Sequence, residues 1–225
     1  VATPWVESTP ANVADFSATA YFFASYLRKV LNVPVGVICS SWGGSKIESW
    51  INKEVYTEKF PEISLSVLTK DPKDIARPKD EPTLLYNAMI HPIKQFTIKG
   101  TIWYQGESNC MIRDRQYAEK YQVLVDSWRE AFNVPGAPFY SVLLAPHLYS
   151  NRMSKDRPPV TAEELPIFHQ QQIKARSMIP NTDFVVVSDL VDKLRDIHPS
   201  YKWKVGERLA RVALAKDYGL AEVVW

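Results

Sequence analysis

Four short apolar runs, each rich in β-branched or aromatic residues, alternate along the chain with longer segments of helical periodicity. The runs cover residues 34–40, 97–104, 138–145 and 184–188. Runs of this length are typical of buried strands, and strands that alternate with helices form parallel sheets with helices on both faces. The sequence therefore predicts an α/β fold, a three-layer α/β/α sandwich built on a parallel sheet.

The intervening segments carry apolar residues every three or four positions, which predicts amphipathic helices. Segments with this spacing are 12–30, 84–95, 115–132, 163–179 and the stretch after Pro199. We expect Pro92 to bend or end the second of them, because proline has no backbone N–H to donate. The charged, proline-rich stretch 54–81 indicates an irregular excursion or lid, and 147–160 indicates a second surface loop.

A cluster of polar side chains follows the run 97–104: Gln105, Glu107, Ser108 and Asn109 surround Gly106. In open α/β sheets, ligands bind at the carboxyl ends of the strands. Polar groups crowded at such a point are costly to bury unless they bond to one another or to a ligand. The cluster therefore predicts a functional site, although a polar loop that merely closes a strand would look the same.

A turn of small residues follows the run 34–40 and contains the pair Gly43 and Gly44. Paired glycines let backbone N–H groups approach a ligand closely, and such groups stabilise negative charge, including a developing oxyanion. An ordinary tight turn between a strand and a helix is the alternative interpretation.

A third cluster follows the run 184–188, where Asp196 and His198 precede Pro199. A histidine held by a carboxylate is the general-base half of a nucleophilic triad. Among the four histidines of the chain, only His198 combines a nearby upstream aspartate with a strand–loop–helix setting. A histidine that simply caps the helix is the alternative.

Taken together, the motifs SSWGGS with IESW, LYNAMIHP, WYQGESN and DIHPSYKWKVGERLA resemble the sialate O-acetylesterase family. This family belongs to the SGNH/GDSL esterase superfamily, which has a flavodoxin-like sheet, and is related to the acetylxylan esterases. The resemblance implies hydrolysis of O-acetyl esters on sugars, such as sialic acid or xylan, by a serine, a histidine and an acid. It implies no cofactor and no metal, an O-acetylated carbohydrate as partner, and a periplasmic, extracellular or lysosomal location on the secretory route.

The resemblance also implies residue roles. His198 matches the catalytic base, and the acid that orients it is either Asp196 or Glu107. Many superfamily members place the aspartate three residues before the histidine, whereas Asp196 is two residues before it, and Glu107 matches an acid implicated in the related acetylxylan esterases. The oxyanion-binding groups implied are Gly43, Gly44, Gln105 and Asn109.

One departure from the family pattern concerns the nucleophile. The family serine lies in a Gly-Gln-Ser-Asn segment on the first, central strand, and these 225 residues contain no such segment. We therefore expect a gap in the sheet, a companion N-terminal segment or chain that carries the serine, and a single domain over residues 1–225 that is incomplete at both ends. A non-catalytic carbohydrate-binding relative, or a different hydrolase that uses Ser41, are the alternatives.

Composition excludes several other classes of function. The net charge is +2 with no basic run, so nucleic acid is not an expected partner. No stretch approaches the roughly 18 apolar residues of a membrane span. Cys39 and Cys110 should both lie near the carboxyl edge of the sheet and could form a disulfide, but free buried cysteines are the favoured expectation.

Overall fold

The computed structural model describes residues 4–151 and 160–220. Within these ranges, three parallel strands form one sheet in the order β1–β2–β3. The strands are β1 (Thr101–Trp103), β2 (Phe139–Val142) and β3 (Thr182–Val185). In the register of the sheet, Tyr140 pairs with Ile102 on one side and with Asp183 on the other. Two of the four predicted runs, 97–104 and 138–145, therefore contain a strand, whereas the third strand begins two residues before the predicted run 184–188 and ends at Val185.

The α-helices of the described residues lie before, between and after these strands. They are α1 (Pro10–Val13), α2 (Ala18–Leu31), α3 (Lys53–Lys59), α4 (Glu107–Met111), α5 (Tyr117–Ala131), α6 (Glu164–Met178) and α7 (Lys202–Asp217). The predicted helix from residue 12 begins only at Ala18, because the Ser17 hydroxyl caps α2 by accepting a hydrogen bond from the Ala20 N–H. None of the helices in the described part of the chain is long and apolar enough to cross a membrane.

Helices cover both faces of the sheet. On one face, Trp103 and Phe139 belong to a core that includes buried residues of α5 and α6. On the other face, Ile102, Tyr140 and Val185 pack with residues of α2 and α7. Neighbouring residues of one strand contribute to different cores, because successive side chains of a strand point to opposite faces. The three-layer α/β/α sandwich is therefore confirmed.

The prediction of a strand over residues 34–40 is wrong for the sheet that the structure describes. The segment has no regular secondary structure and pairs with none of the three strands, and among the described residues β1 has a strand neighbour on one edge only. Val35 packs on the core shared with α2 and α7, whereas Ile38 is exposed. β-Branched residues favour an extended backbone, but a ladder also requires a partner strand. Among the described residues the sheet is open at β1, as the predicted gap requires.

Local chemistry explains the other departures from prediction. The predicted helix over 84–95 is a π-helical turn, Tyr86–Ile90, followed by a 3₁₀ turn, His91–Ile93, which contains Pro92. The stretch 54–81 contains most of α3 and several 3₁₀ turns. One of these turns, Pro78–Asp80, contacts the glycine pair through a hydrogen bond from Lys79 to the carbonyl oxygen of Gly43. Most of the predicted surface loop 147–160 lies outside the described residues.

Cys39 and Cys110 are both free. Cys110 is fully buried, as predicted, and burial raises the pKa of its thiol to about 12. Cys39 is exposed, contrary to prediction, and its segment is not part of the sheet that the structure describes.

Candidate active site

Gly106 makes the sharp turn that takes the chain from β1 into α4. Its φ angle is 142°, in the region that favours glycine. A Cβ atom at this position would lie 2.8 Å from the ring of Phe168 on α6, so no side chain fits there. The turn places Glu107 at the first position of α4, at the carboxyl end of the sheet, where ligand sites of parallel sheets lie.

Three hydrogen bonds join the glycine turn to this strand–helix junction. The Ser108 hydroxyl donates to the carbonyl oxygen of Gly44 at 2.8 Å. The Gln105 amide donates to the carbonyl oxygen of Ser45 at 2.9 Å, and the backbone N–H of Ile47 donates to Asn109 Oδ1 at 3.0 Å. The structure therefore brings together two motifs that lie about sixty residues apart in the sequence.

A buried charged network lies beneath this junction. Asn109 Nδ2 donates to Glu48 Oε2 and to Asp114 Oδ2, both at 2.9 Å. Lys120 Nζ bridges the same two carboxylates, at 2.7 Å from Glu48 Oε1 and 2.9 Å from Asp114 Oδ2. All four side chains are buried, so the single ammonium group and the Asn109 amide together satisfy two carboxylates that are shielded from water.

In this structure the side-chain amides of Gln105 and Asn109, which were predicted to bind the oxyanion, make their hydrogen bonds within the protein. A side-chain amide has two N–H donors. Those of Asn109 are used by the two carboxylates, and those of Gln105 are used by Ser45 O and Asn109 Oδ1. In this geometry neither amide has a hydrogen left for an oxyanion, and both instead hold the glycine turn against α4.

Gly43 and Gly44 lie exposed at the surface of the turn. Gly44 has a φ angle of 69°, in the left-handed region, and its carbonyl oxygen is held by Ser108. A backbone N–H in such a turn can point at a developing negative charge. The predicted oxyanion role of these two glycines therefore stays a prediction that the local geometry permits.

Glu107 lies in an electrostatic environment that also contains Lys202 and His198. Burial raises the pKa of the Glu107 carboxyl, and the charges of Lys202 and His198 oppose that rise. The Lys202 ammonium lies over the ring of Tyr104, 4.7 Å from its centroid, in a cation–π contact. Burial lowers the pKa of Lys202, and the carboxylates of Glu107 and Asp196 act in the opposite direction.

His198 lies on an exposed loop just before α7. Its backbone N–H donates to Asp196 Oδ1 at 2.9 Å, and its Nδ1 atom lies 3.7 Å from the same oxygen, beyond hydrogen-bond range. The imidazole side chain is 84% exposed. Asp196 therefore holds the backbone of the loop, and the ring is accessible to a substrate or to another segment. Pro199 precedes α7 rather than opening it, because the helix begins at Lys202.

Ser41, the alternative nucleophile, is exposed next to the glycine turn. The contact that the structure shows for its hydroxyl is with the Cys39 thiol, at 3.5 Å. A serine nucleophile needs a base within about 2.6–3.2 Å of its hydroxyl oxygen. A thiol neighbour does not provide one, so this geometry does not support Ser41.

Sequence reasoning missed several residues that shape the site. They are Glu48, Lys79, Asp114, Lys120 and Lys202. Only Lys120 carried a readable signal, because it falls on the buried face of α5 between Tyr117 and Leu124, where a charge requires a buried partner. The others become neighbours of the site only through contacts between distant segments.

Comparison with known proteins identifies the family of this chain. Residues 2–215 match the family described as carbohydrate esterase, sialic acid-specific acetylesterase. The sialate O-acetylesterase of Homo sapiens is 30% identical over 96% of the chain, and that of Mus musculus is 29% identical over the same share. The chain spans less than half the length of these relatives, 43% of the human and 46% of the mouse protein.

Solved structures support the same assignment. A carbohydrate acetylesterase from Xanthomonas citri is 34% identical with a TM-score of 0.76, and the match covers 96% of this chain and 44% of that one. An Arabidopsis thaliana protein, 18% identical with a TM-score of 0.58, covers 86% of this chain and 66% of its own and shows the shared fold alone. With the family match over most of its length, this chain belongs to the carbohydrate esterase family of sialic acid-specific acetylesterases.

Proposed function

We propose that this chain forms most of the active site of a carbohydrate esterase that removes O-acetyl groups from sugars, of the sialic acid or xylan type. The observation that supports the proposal is the hydrogen-bonded junction of the glycine turn with α4, beside which Lys202, at the start of α7, lies over Tyr104 at the end of β1. Ser108 ties the turn to α4, and Glu107 interacts electrostatically with His198. The names of the relatives agree with this chemistry. A location on the secretory route is part of the same proposal.

The nucleophilic serine is proposed to come from residues outside this chain, on a strand that pairs with β1. Two observations support this origin. The edge of β1 that faces away from β2 has no strand partner among the described residues, although the cores of both faces extend to β1. The human relative is also more than twice as long as the part that this chain matches. A serine at the carboxyl end of such a strand would lie beside the glycine turn.

In the proposed mechanism, the serine oxygen attacks the acetyl carbonyl carbon while its proton passes to the imidazole of His198. The negative charge on the carbonyl oxygen is stabilised by the Gly44 N–H. The tetrahedral intermediate collapses, the C–O bond to the sugar breaks, and the imidazolium returns its proton to the sugar hydroxyl. Water then attacks the acetyl-serine with His198 again as base, which releases acetate and restores the serine.

Glu107 is proposed as the acid that stabilises the imidazolium form of His198. Asp196 is the weaker candidate, because one of its oxygens accepts the His198 backbone N–H and its side chain is 55% exposed. Solvent screens the charge of an exposed carboxylate. Glu107 is more shielded from water, so its charge acts on the imidazole through a medium of lower dielectric constant.

Acetate release by the full-length protein tests the proposed function. We expect hydrolysis of O-acetylated sialic acid or of acetylated xylan, measured by an enzyme-coupled acetate assay. We also expect no comparable turnover of the corresponding longer-chain acyl esters. Binding of the acetylated sugar without release of acetate would contradict the proposal and favour a non-catalytic carbohydrate-binding protein.

The pH dependence of kcat/KM should change when the positive charge of Lys202 is removed. In the Lys202→Met variant, the Glu107 carboxylate loses a nearby cation, so its pKa, already raised by burial, rises further. If Glu107 must be ionised, the acid limb of the kcat/KM profile moves to higher pH in this variant. The measurement is a pH profile of acetyl ester hydrolysis by the full-length protein, compared with the wild type.

Lys204→Met is the matched control for this prediction. Lys204 lies on α7 two positions after Lys202, and its ammonium group forms an ion pair with Glu207 rather than with a residue of the site. Its replacement should leave the acid limb where it is in the wild type. An unmoved acid limb in Lys202→Met would show that Glu107 does not titrate in the reaction.

A further inference from the structure

A lysine side chain from a distant segment of the sequence contacts the glycine turn. Lys79, in the 3₁₀ turn Pro78–Asp80, donates a hydrogen bond from its ammonium group to the carbonyl oxygen of Gly43 at 2.8 Å. That carbonyl belongs to the same peptide group as the N–H of Gly44. Because the peptide is planar and trans, the N–H points away from the carbonyl oxygen. The Lys79 contact therefore sets the direction of the Gly44 N–H.

The backbone of Lys79 is itself firmly placed. Its carbonyl oxygen accepts hydrogen bonds from the Ser49 hydroxyl at 2.6 Å and from the Lys46 N–H at 3.2 Å. Ser49 is fully buried, and the carbonyl oxygen of Glu81, 2.8 Å from its hydroxyl oxygen, shares the single hydroxyl hydrogen with the carbonyl oxygen of Lys79. These hydrogen bonds fix the backbone of Lys79, from which its side chain extends to the glycine turn.

The ammonium group lies directly against Gly44. A Cβ atom built on Gly44 would be 2.9 Å from Lys79 Nζ. The peptide on the other side of Gly44 is held as well, because Ser108 donates to the Gly44 carbonyl oxygen at 2.8 Å. Both peptide groups that flank the Gly44 Cα atom are therefore oriented by side chains from other parts of the fold.

We propose that Lys79 is a positioning residue for the oxyanion-binding peptide of this esterase: it orients the Gly43–Gly44 peptide and polarises it, which makes the Gly44 N–H a stronger donor. The inference rests on the proposed esterase function. A charged donor on a carbonyl oxygen draws electron density from the peptide, and hydrogen bonds in such a chain strengthen one another. A donor that is already aimed at the oxyanion needs no reorganisation when the charge develops.

Kinetics of the Lys79→Met variant in the full-length protein test the inference, with 4-nitrophenyl acetate as the probe. Loss of an entire oxyanion donor lowers kcat by about 10²–10³, so loss of its orientation should lower kcat by a smaller factor, on the order of tenfold. KM should stay within about twofold, because the contact acts in the transition state. Lys79→Arg keeps a charged donor and should recover part of the loss.

The chain offers a matched control. Lys73 occupies a second Pro-Lys-Asp 3₁₀ turn, Pro72–Asp74, and is exposed. Lys73→Met should leave kcat at the wild-type value. A loss of similar size in Lys73→Met would show that overall charge, rather than the Gly43 contact, is responsible, and would overturn the inference.

The inhibition constant of a boronic acid distinguishes a positioning role of Lys79 from a purely structural one, because a purely structural role would leave this constant unchanged. Its tetrahedral adduct with the serine places a negatively charged centre at the oxyanion position, so its inhibition constant should rise in Lys79→Met by the same factor by which kcat falls. A kcat within about twofold of the wild type, or an unchanged inhibition constant, would overturn the inference while leaving the esterase proposal intact. A wild-type protein without any acetyl ester hydrolysis would instead overturn the proposed function itself.

Discussion

Full-length protein with His198→Ala should hydrolyse acetyl esters more slowly than the wild type by a factor on the order of 10⁴. Without the imidazole, the proposed site loses the group that takes the serine proton and returns it to the sugar hydroxyl. The fold should be unaffected, because the His198 side chain is 84% exposed. Initial rates of acetate release, together with thermal melting curves of both proteins, check both parts of the expectation.

His91→Ala is the control for this variant. His91 is also exposed, but it lies in the 3₁₀ turn His91–Ile93, away from the His198 loop in the sequence and outside the proposed site. Its replacement should leave the rate at the wild-type level. If His198→Ala kept more than roughly a tenth of the wild-type rate, His198 would not be the base.

Glu107→Gln and Asp196→Asn, compared side by side, extend this prediction to the orienting acid. Loss of the acid partner of a catalytic histidine can lower kcat by about 10⁴. We expect the larger loss in Glu107→Gln, because Asp196 is more exposed and bonds to the backbone of the loop. A larger loss in Asp196→Asn would assign the orienting role to Asp196 instead.

Replacing Lys120 by methionine should lower the free energy of unfolding by about 3–5 kcal/mol. The ammonium group of Lys120 bridges Glu48 and Asp114, and all three side chains are buried. Methionine fills a similar volume but leaves two buried carboxylates without their cation, and water cannot replace it there. Urea denaturation of the wild-type and variant full-length proteins, followed by far-UV circular dichroism, measures the difference.

Lys174→Met is a matched control for the buried lysine. Lys174 pairs with Glu119 on the surface, where the two side chains are 51% and 39% exposed. Exposed ion pairs contribute about 0–1 kcal/mol, so this variant should unfold close to the wild-type midpoint. Equal stability losses in the two variants would contradict the view that the buried network secures the site.

The order of strands and helices could be predicted from the sequence because hydrophobic periodicity is a local property. The aromatic and aliphatic stripe of α5 and the apolar run that contains β2 each bury a face whatever their partner is. The strand predicted over residues 34–40 failed for the complementary reason. An extended segment becomes part of a sheet only through hydrogen bonds to another strand, and its own residues do not specify whether that strand is there.

The candidate site divides in the same way. Motifs located Gly44, Glu107 and His198 at the ends of elements, and the parallel arrangement of the sheet predicts that such ends meet at one edge. The roles of Gln105 and Asn109 did not follow, because an amide can donate to a ligand or to the protein, and the sequence does not show which partner is near. In the structure, those partners are Ser45, Glu48 and Asp114.

By itself, the sequence determined the layered α/β architecture, the family and the segments that approach the site, since each of these depends on residue patterns within one element or one motif. Only the tertiary structure decided which polar groups are consumed inside the protein and which face outward. Lys120 and Glu48 are 72 positions apart, and Lys79 and Gly43 are 36 apart. Hydrogen bonds and ion pairs select partners by distance in space, so these contacts, and the functional roles that depend on them, come from the fold.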